Sequence, residues 1–227
     1  MGECPVDIIE AMQSRKSIRG YKPTPVPQEV LRNILDAATR APSADNAQPW
    51  EIAVVAGEAL DRIGEGNMAM FKSGAPRYPE TIVQPYGGVY RRRQVEVAGD
   101  IFRLMGIPRE DGEKRMEWMQ RGLRFFDAPA GFIIYTEKSL EVPYPLIDIG
   151  GLVQSICLAA LHYDLGTCAH DQGIMFPEVV RKVLGIPQSK RFIMCVAIGY
   201  PDWDFPANKL RSRRESIDNI TTWYGFD

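Results

Sequence analysis

Residues 131–165 read GFIIYTEKSLEVPYPLIDIGGLVQSICLAALHYDL, and two different periodicities lie side by side in them. Residues 131–136, GFIIYT, are mostly β-branched or aromatic and predict a strand. Residues 146–165 carry the longest apolar helical pattern in the chain, with Gly166 expected as its C-terminal stop. A helix apolar nearly all round belongs at the centre of a fold. Working outward, residues 50–56 (WEIAVVA) and 191–200 (RFIMCVAIGY) predict two more strands. Residues 177–185 (PEVVRKVLG) predict a short helix opened by Pro and closed by Gly. Strands parted by long helices, with helix in excess, predict an α+β fold in which a modest sheet is covered on both faces.

The rest of the chain fits around this centre. Val6, Ile8, Ile9 and Met12 follow Pro5 at roughly helical spacing and predict a first helix to about Lys16. Pro23, Pro25 and Pro27 punctuate a loop, and Val30, Leu31, Ile34, Leu35 and Ala38 form the apolar face of a second helix, ended by Ala41-Pro42. Residues 68–88 are rich in Gly, Pro and Tyr without a steady period and read as a loop or lid. Val95, Ala98, Phe102 and Met105 recur at helical spacing up to Gly106, and residues 110–124 read as a more polar helix. No repeat, low-complexity tract or linker divides the chain, so one domain over residues 1–227 is expected.

Composition narrows the function classes. The 227 residues are 45% hydrophobic and 25% charged, which suits a folded protein with a sizeable core. Lys plus Arg number 27 against 29 for Asp plus Glu, a balance of −2, so no positive field points to nucleic acid or an anionic membrane. Any bound anion must be held by a local cluster. The first residues show no charged leader followed by an apolar run, and no stretch approaches about 18 uncharged apolar residues, so a cytoplasmic protein without membrane association is expected. Cys4, Cys157, Cys168 and Cys195 are far apart with no CxxC pair and read as reduced, mostly buried thiols. With only His162 and His170, no metal site is expected and a His-dependent triad has little raw material.

Two constellations can carry chemistry. The first, Arg15-Lys16-Ser17-Ile18-Arg19, sets three cations and a hydroxyl within five residues. Cations at a helix C-terminus compensate its dipole, which is one reading. The other is that Arg15 and Arg19, one helical turn apart, grip a phosphate together with Ser17. The second is the polar loop of residues 41–50, APSADNAQPW, in which Ser43, Asn46 and Gln48 suit the edge of a planar heterocycle or a polyol, or are simply turn residues. Gly64-Glu-Gly-Asn-Met lacks the spacing and preceding strand of a nucleotide loop. Arg91-Arg-Arg93 reads as a solvated helix start, and Tyr78, Tyr86 and Tyr90 either form an aromatic lid or pack a loop.

Residues 15–50, RKSIRGYKPTPVPQEVLRNILDAATRAPSADNAQPW, closely resemble the opening of FMN-dependent nitroreductases, in which Arg-Arg-Ser-x-Arg is followed by Ala-Pro-Ser-x-x-Asn-x-Gln-Pro-Trp. The resemblance resumes at FFDAPAGFIIYT, LAALHYDLGTC, PEVVRKVLGIP and AIGYPDWDFPANKLRSRRESIDNITTW. It implies a three-layer α/β/α sandwich around a central mixed, mostly antiparallel sheet. An insertion or lid would occupy about residues 66–121 and a dimer-embracing arm about residues 206–227. It also implies an FMN-dependent oxidoreductase that passes electrons from NADH or NADPH to a flat organic acceptor such as a nitroaromatic or quinone, by a ping-pong scheme centred on flavin N5.

By the same resemblance, Arg15, Lys16, Ser17 and Arg19 hold the FMN phosphate and ribityl oxygens, with Arg214 as the C-terminal phosphate arginine and Arg211 as helper. Pro42, Ser43 and Asn46, supported by Gln48, reach the flavin from the other subunit of a homodimer, so FMN lies at the interface. Ala169, His170 and Asp171 pass beside the isoalloxazine and offer backbone N–H groups. The aromatics Trp223, Tyr224 and Phe226 need a packing surface, which a partner supplies. Three departures stand out: Lys16 replaces a second Arg, Gly122 stands where some relatives carry Asn, and His170-Asp171-Gln172 matches no family pattern. Other uses of the scaffold are reductive dehalogenation, activated-alkene reduction, and a flavin-binding sensor or storage role.

Overall fold

The computed structural model describes residues 7–77, 79–80, 85–140 and 143–226. Four strands, β1 (Glu51–Ala56), β2 (Ala130–Glu137), β3 (Gly166–His170) and β4 (Lys190–Gly199), form one sheet in the order β1-β2-β4-β3. The expectation of three strands is corrected to four, because residues 166–170 were hidden at the end of the long apolar run. All three strand pairings are antiparallel, and the one parallel element is an isolated bridge between Ser17 and Thr167. The mixed character of the sheet therefore rests on that bridge alone among the described residues.

Alternation along the inner strands feeds two cores, because successive side chains on a strand point to opposite faces. On one face Phe132, Ile134, Val196 and Ile198 pack against Leu31 and Ile34 of α2 (Gln28–Ala38) and Ile149, Leu152 and Ile156 of α6 (Tyr144–Ala159). On the other, Ile133, Phe192, Cys195 and Ala197 pack against Leu60 and Ile63 of α3 (Gly57–Lys72) and Val180 of α7 (Pro177–Leu184). The arrangement is the expected three-layer sandwich. Phe132, Ile133 and Ile134 are fully buried, so truncating any one to Ala should cost about 2–5 kcal/mol.

Several boundaries differ from expectation for local reasons. The first helix, α1, runs Ile8–Ser14 and stops before Lys16, since Arg15 leaves helical geometry at ψ 128°. The apolar run is helical only to Tyr163, Asp164 taking the left-handed turn at φ 55°, and Gly166 opens β3 rather than ending a helix. Residues 68–72 belong to α3, whose polar outer face hid the helix; the Gly64–Met68 stretch also lies in it. α4 covers Gly88–Leu104 with Arg91, Arg92 and Arg93 exposed in its first turns, and α5 covers Gly112–Gln120 rather than all of residues 110–124. Tyr86 and Tyr90 lie 6.4 Å apart and exposed, whereas Tyr78 and Cys4 lie outside the described residues.

α6 and its 3-10 extension, Tyr144–Tyr163, are long and apolar enough to cross a membrane by length and composition alone. Their inner face, however, packs into the core under the sheet, with Ile149, Leu152 and Ile156 at most 1% exposed, while Tyr144 and Ile147 on the outer face are 66% and 65% exposed. A second unexpected feature is the turn after α5. Phe125, Phe126 and Asp127 hold φ of 54°, 56° and 59°, a left-handed conformation that costs roughly 1–2 kcal/mol per residue. Burial of both phenyl rings and ion pairs from Asp127 to Arg121 and Arg124, each at 3.0 Å, offset it.

Candidate functional site: a cation cluster beside the sheet edge

Once the chain leaves α1 at Arg15 it runs extended along β3. Ile18 N donates to Thr167 O at 2.9 Å, and the Ile18 side chain is buried against Gly166, where a Cβ would fall 2.5 Å from Ile18 Cγ1. The helical pairing of Arg15 with Arg19 is thus replaced by an extended one. Both arginines still act on one place, the Cys168 thiol, which burial pushes up while Arg19, Ser17 and Arg15 pull it back. Lys16 extends its Nζ to the Asn208 carbonyl at 2.5 Å and lies 5.0 Å from the Trp203 ring centre. Partial burial and then the neighbouring Arg211 hold the Lys16 ammonium below its ordinary pKa.

Arg15 and Arg19 thus reach one thiol and Arg211 lies beside Lys16, yet none of the four takes part in an ion pair among the described residues. Bringing cations together without a counter-charge is unfavourable, and a bound phosphate is the natural relief. The donor set, two guanidiniums on an extended stretch with Ser17 between them, suits an anion with several oxygens. Arg214 is placed elsewhere. It bonds its own Ser212, Nη1 to Oγ at 2.8 Å, and lines a hollow with Arg92, Arg93 and Arg213 beside α4.

The polar loop is the second part. Asp45, Asn46 and Gln48 adopt φ of 50°, 57° and 48°, and Ser43 Oγ accepts from Gln48 N at 3.0 Å. Asp148 of α6 accepts the Ala44 N–H at 3.3 Å, and Thr136 of β2 donates to the Pro49 carbonyl at 2.5 Å. Two elements of the sandwich thus hold the loop while Pro42, Asn46 and Gln48 stay exposed. No described hydrogen bond or ion pair joins this loop to the cation stretch of its own chain. Within β3 and just beyond, Ala169 and Asp171 face outward, whereas the His170 side chain turns inward between Phe125 and Phe126, 5.0 and 5.2 Å from their ring centres. Burial, with Arg19 adding repulsion, lowers the His170 pKa to about 3.

Asn208 and Arg121 escaped the sequence reading, and Gln172 was noted there without a role. Asn208 is 1% exposed and accepts the Arg19 N–H at 2.7 Å. Arg121 donates to the Arg19 carbonyl at 3.3 Å. Gln172 fills the space that a side chain at Gly122 would need: a Cβ there would fall 1.7 Å from Gln172 Oε1, and Gln172 Nε2 donates to the Met119 carbonyl at 2.9 Å. The Gly122 departure and the unmatched Gln172 are therefore two halves of one packing arrangement. Position 122 was visible as an anomaly; its filler 50 residues away was not.

Comparison with known proteins identifies the family and the fold. A nitrobenzene nitroreductase of Ectopseudomonas oleovorans is 32% identical over 220 residues, covering 95% of this chain and 96% of that protein. A chloronitrobenzene nitroreductase of Comamonas testosteroni is 29% identical over 224 residues, covering 95% of this chain and 96% of that protein. The crystal structure of the FMN- and NADPH-dependent nitroreductase NfnB from Sphingopyxis sp. strain HMH superposes with a TM-score of 0.93 at 28% identity, covering 97% of this chain and 100% of that one. The sequence profile described as the Nitroreductase family matches residues 12–200, which contain the cation stretch, the polar loop and all four strands. The chain belongs to the nitroreductase family.

Proposed function

We propose that this protein is an FMN-dependent oxidoreductase that takes electrons from NADH or NADPH and delivers them to a flat organic acceptor, a nitroaromatic or a quinone, in a ping-pong sequence. The observation that carries the reading is the cluster of Arg15, Lys16, Arg19 and Arg211 without a carboxylate partner among the described residues, built on the fold of an FMN- and NADPH-dependent relative. Arg15, Lys16, Ser17 and Arg19 would hold the phosphate and ribityl oxygens, with Arg211 beside Lys16 and Arg214 drawn in from the neighbouring hollow. Ala169 and Asp171, the outward residues after the cation stretch, border the ring edge, and His170 supports them from inside. Bound there, FMN supplies the redox chemistry, so no side chain has to act as nucleophile or metal ligand. Residues 66–121, with α4, α5 and exposed Met116 and Met119, would form the lid that selects the acceptor.

The assembly in this proposal is a homodimer with FMN at the interface. Pro42, Ser43, Asn46 and Gln48, in the loop held by α6 and β2, make no described hydrogen bond or ion pair with their own chain's cations and would complete the partner's site. Ile8, Ile9 and Met12 of α1 and Tyr144 and Ile147 of α6 are all more than half exposed, and so are Trp223, Tyr224 and Phe226 in the C-terminal arm. A hollow of about 620 Å³ along the free edge of β1, lined by Val26, Leu35, Ile52 and Val54, offers such an arm an apolar seat. The buried, unpaired thiols of Cys157, Cys168 and Cys195 suit a reducing cytoplasm.

Anaerobic titration of the purified protein tests the activity. NADPH or NADH should bleach the flavin absorbance, and nitrobenzene should then restore it in a separate half-reaction. Bleaching that no nitroaromatic or quinone reverses would leave a flavin-binding sensor or a different reductive chemistry in its place. For the assembly, truncation after Thr221 should loosen the dimer and lower FMN content together, as read by light scattering and released flavin. A monomer with full flavin and turnover would contradict it.

A further inference from the structure

Arg211 repels Lys16, and Arg15 and Arg19 both reach the Cys168 thiol, so something must keep the cation stretch in place before any anion arrives. The structure shows what does. Asn208 uses every part of its amide: Oδ1 accepts the Arg19 N–H at 2.7 Å, and Nδ2 donates to the Gly20 carbonyl at 2.7 Å and the Asp202 carbonyl at 2.8 Å. Its own main-chain carbonyl receives the Lys16 ammonium at 2.5 Å. From the other side, Arg121 donates through Nη2 to the Arg19 carbonyl and the Phe126 carbonyl, both at 3.3 Å, while its Nη1 pairs with Asp127 at 3.0 Å. The Arg121 guanidinium lies 4.8 Å from the Phe205 ring centre, and that ring closes over Gly20, where a Cβ would fall 2.2 Å from Phe205 Cγ.

We infer that Asn208 and Arg121 are positioning residues that set the strength of the phosphate grip by fixing the Arg19 main chain from both sides. Neither needs to touch the ligand. Asn208 is buried, and the Arg121 contacts are spent on carbonyls, Asp127 and a ring. Their joint effect is preorganisation: the cost of holding the cation stretch, including the repulsion between Lys16 and Arg211, is met during folding, so the anion meets a formed site. The unusual left-handed turn at Phe125–Asp127 acquires a role here, because it presents both the Phe126 carbonyl and the Asp127 carboxylate to Arg121. The inference rests on reading the cluster as the FMN phosphate site.

The test is the ratio of affinities for FMN and riboflavin, which differ only by the phosphate, measured on full-length protein by flavin fluorescence titration. Asn208→Ala should weaken FMN about tenfold or more and riboflavin by less than about threefold. Arg121→Met should act in the same direction. Arg121→Lys separates geometry from charge, since lysine keeps the positive charge without the planar fork, and it should resemble Arg121→Met. Equal weakening of both flavins in Asn208→Ala, with a lowered melting temperature, would reduce Asn208 to a structural role and overturn the inference. Recovery of the wild-type ratio by Arg121→Lys would do the same for Arg121, leaving it only a long-range charge. Where Asn208→Ala chains do not fold, the Arg121→Lys ratio decides. Wild-type protein that binds riboflavin as tightly as FMN would instead reject the cofactor reading itself, whatever the variants do.

Discussion

Two groups of cations, one on α7 and one along the β3 edge, are treated in opposite ways. Arg181 of α7 is 5% exposed and its charge is paired: Nη2 donates to both Glu80 oxygens at 2.6 and 2.7 Å and to the Lys190 carbonyl at 2.8 Å, Nη1 donates to the Pro187 carbonyl at 2.7 Å, and Nε, without a hydrogen-bond partner, lies 3.4 Å from Glu178. Glu80 also takes Lys138 at 2.9 Å and the Phe192 N–H at 3.0 Å, next to the irregularity where β2 and β4 shift register. Burial pushes the Glu80 carboxyl up, but Phe192, Lys138 and Arg181 outweigh it and hold the pKa below its ordinary value. Arg15, Lys16, Arg19 and Arg211 have no such answer among the described residues. A chain that pairs a buried arginine with a carboxylate leaves four other cations without one among the described residues, and that group is the one poised for a ligand. Satisfied charge reports on folding, and unsatisfied charge reports on binding.

The contrast breaks most visibly at Glu80. Glu80→Ala leaves Arg181 buried without its carboxylate and should lower unfolding stability by about 3–5 kcal/mol in urea titration. Its FMN affinity should stay within about twofold of wild type, as expected for a site that shares none of these contacts. A large loss of FMN without loss of stability would erase the division between the two groups.

His170 gives the next largest effect, and it depends on pH. Its folded pKa of about 3 lies below the ordinary 6.5, so between those values the unfolded chain binds a proton that the folded chain refuses. Stability contributed by neutral His170 is present above about pH 6.5 and is lost as pH falls, by about 2–3 kcal/mol at pH 4.5 at the usual 1.36 kcal/mol per unit. Urea titrations across that range should show the slope, and His170→Leu should flatten it. An unchanged slope in the variant would place the acid sensitivity elsewhere. Arg19→Ala is expected to have the smallest effect, weakening FMN by about 1–3 kcal/mol through the lost charge-assisted contact. Riboflavin binding and chain stability should barely move; equal loss for both flavins would remove Arg19 from the phosphate.

Much of the sandwich was legible because its signals are local. The alternation in residues 131–136 and 191–200, and the Pro and Gly that bracket α7, each announce an element within a few residues. The site was legible as a set of residue types and a family resemblance. Its geometry was not, since nothing within residues 15–19 says that the helix ends at Ser14 and that an extended strand-like path follows. β3 was lost because Gly166 after an apolar helix reads as a stop, whereas Asp164 already supplies the left-handed turn. The roles of Asn208, Arg121 and Gln172 were invisible for a different reason. Each acts on a partner 50 or more positions away, and no local pattern encodes such a contact.

The most direct test of the central claim is the identity of the chromophore released when the purified, full-length protein is heat-denatured, read by mass spectrometry and flavin absorbance. The account predicts FMN, about one per chain, held by the phosphate cluster. Release of FAD or riboflavin, or a protein that stays colourless after incubation with FMN, would contradict it.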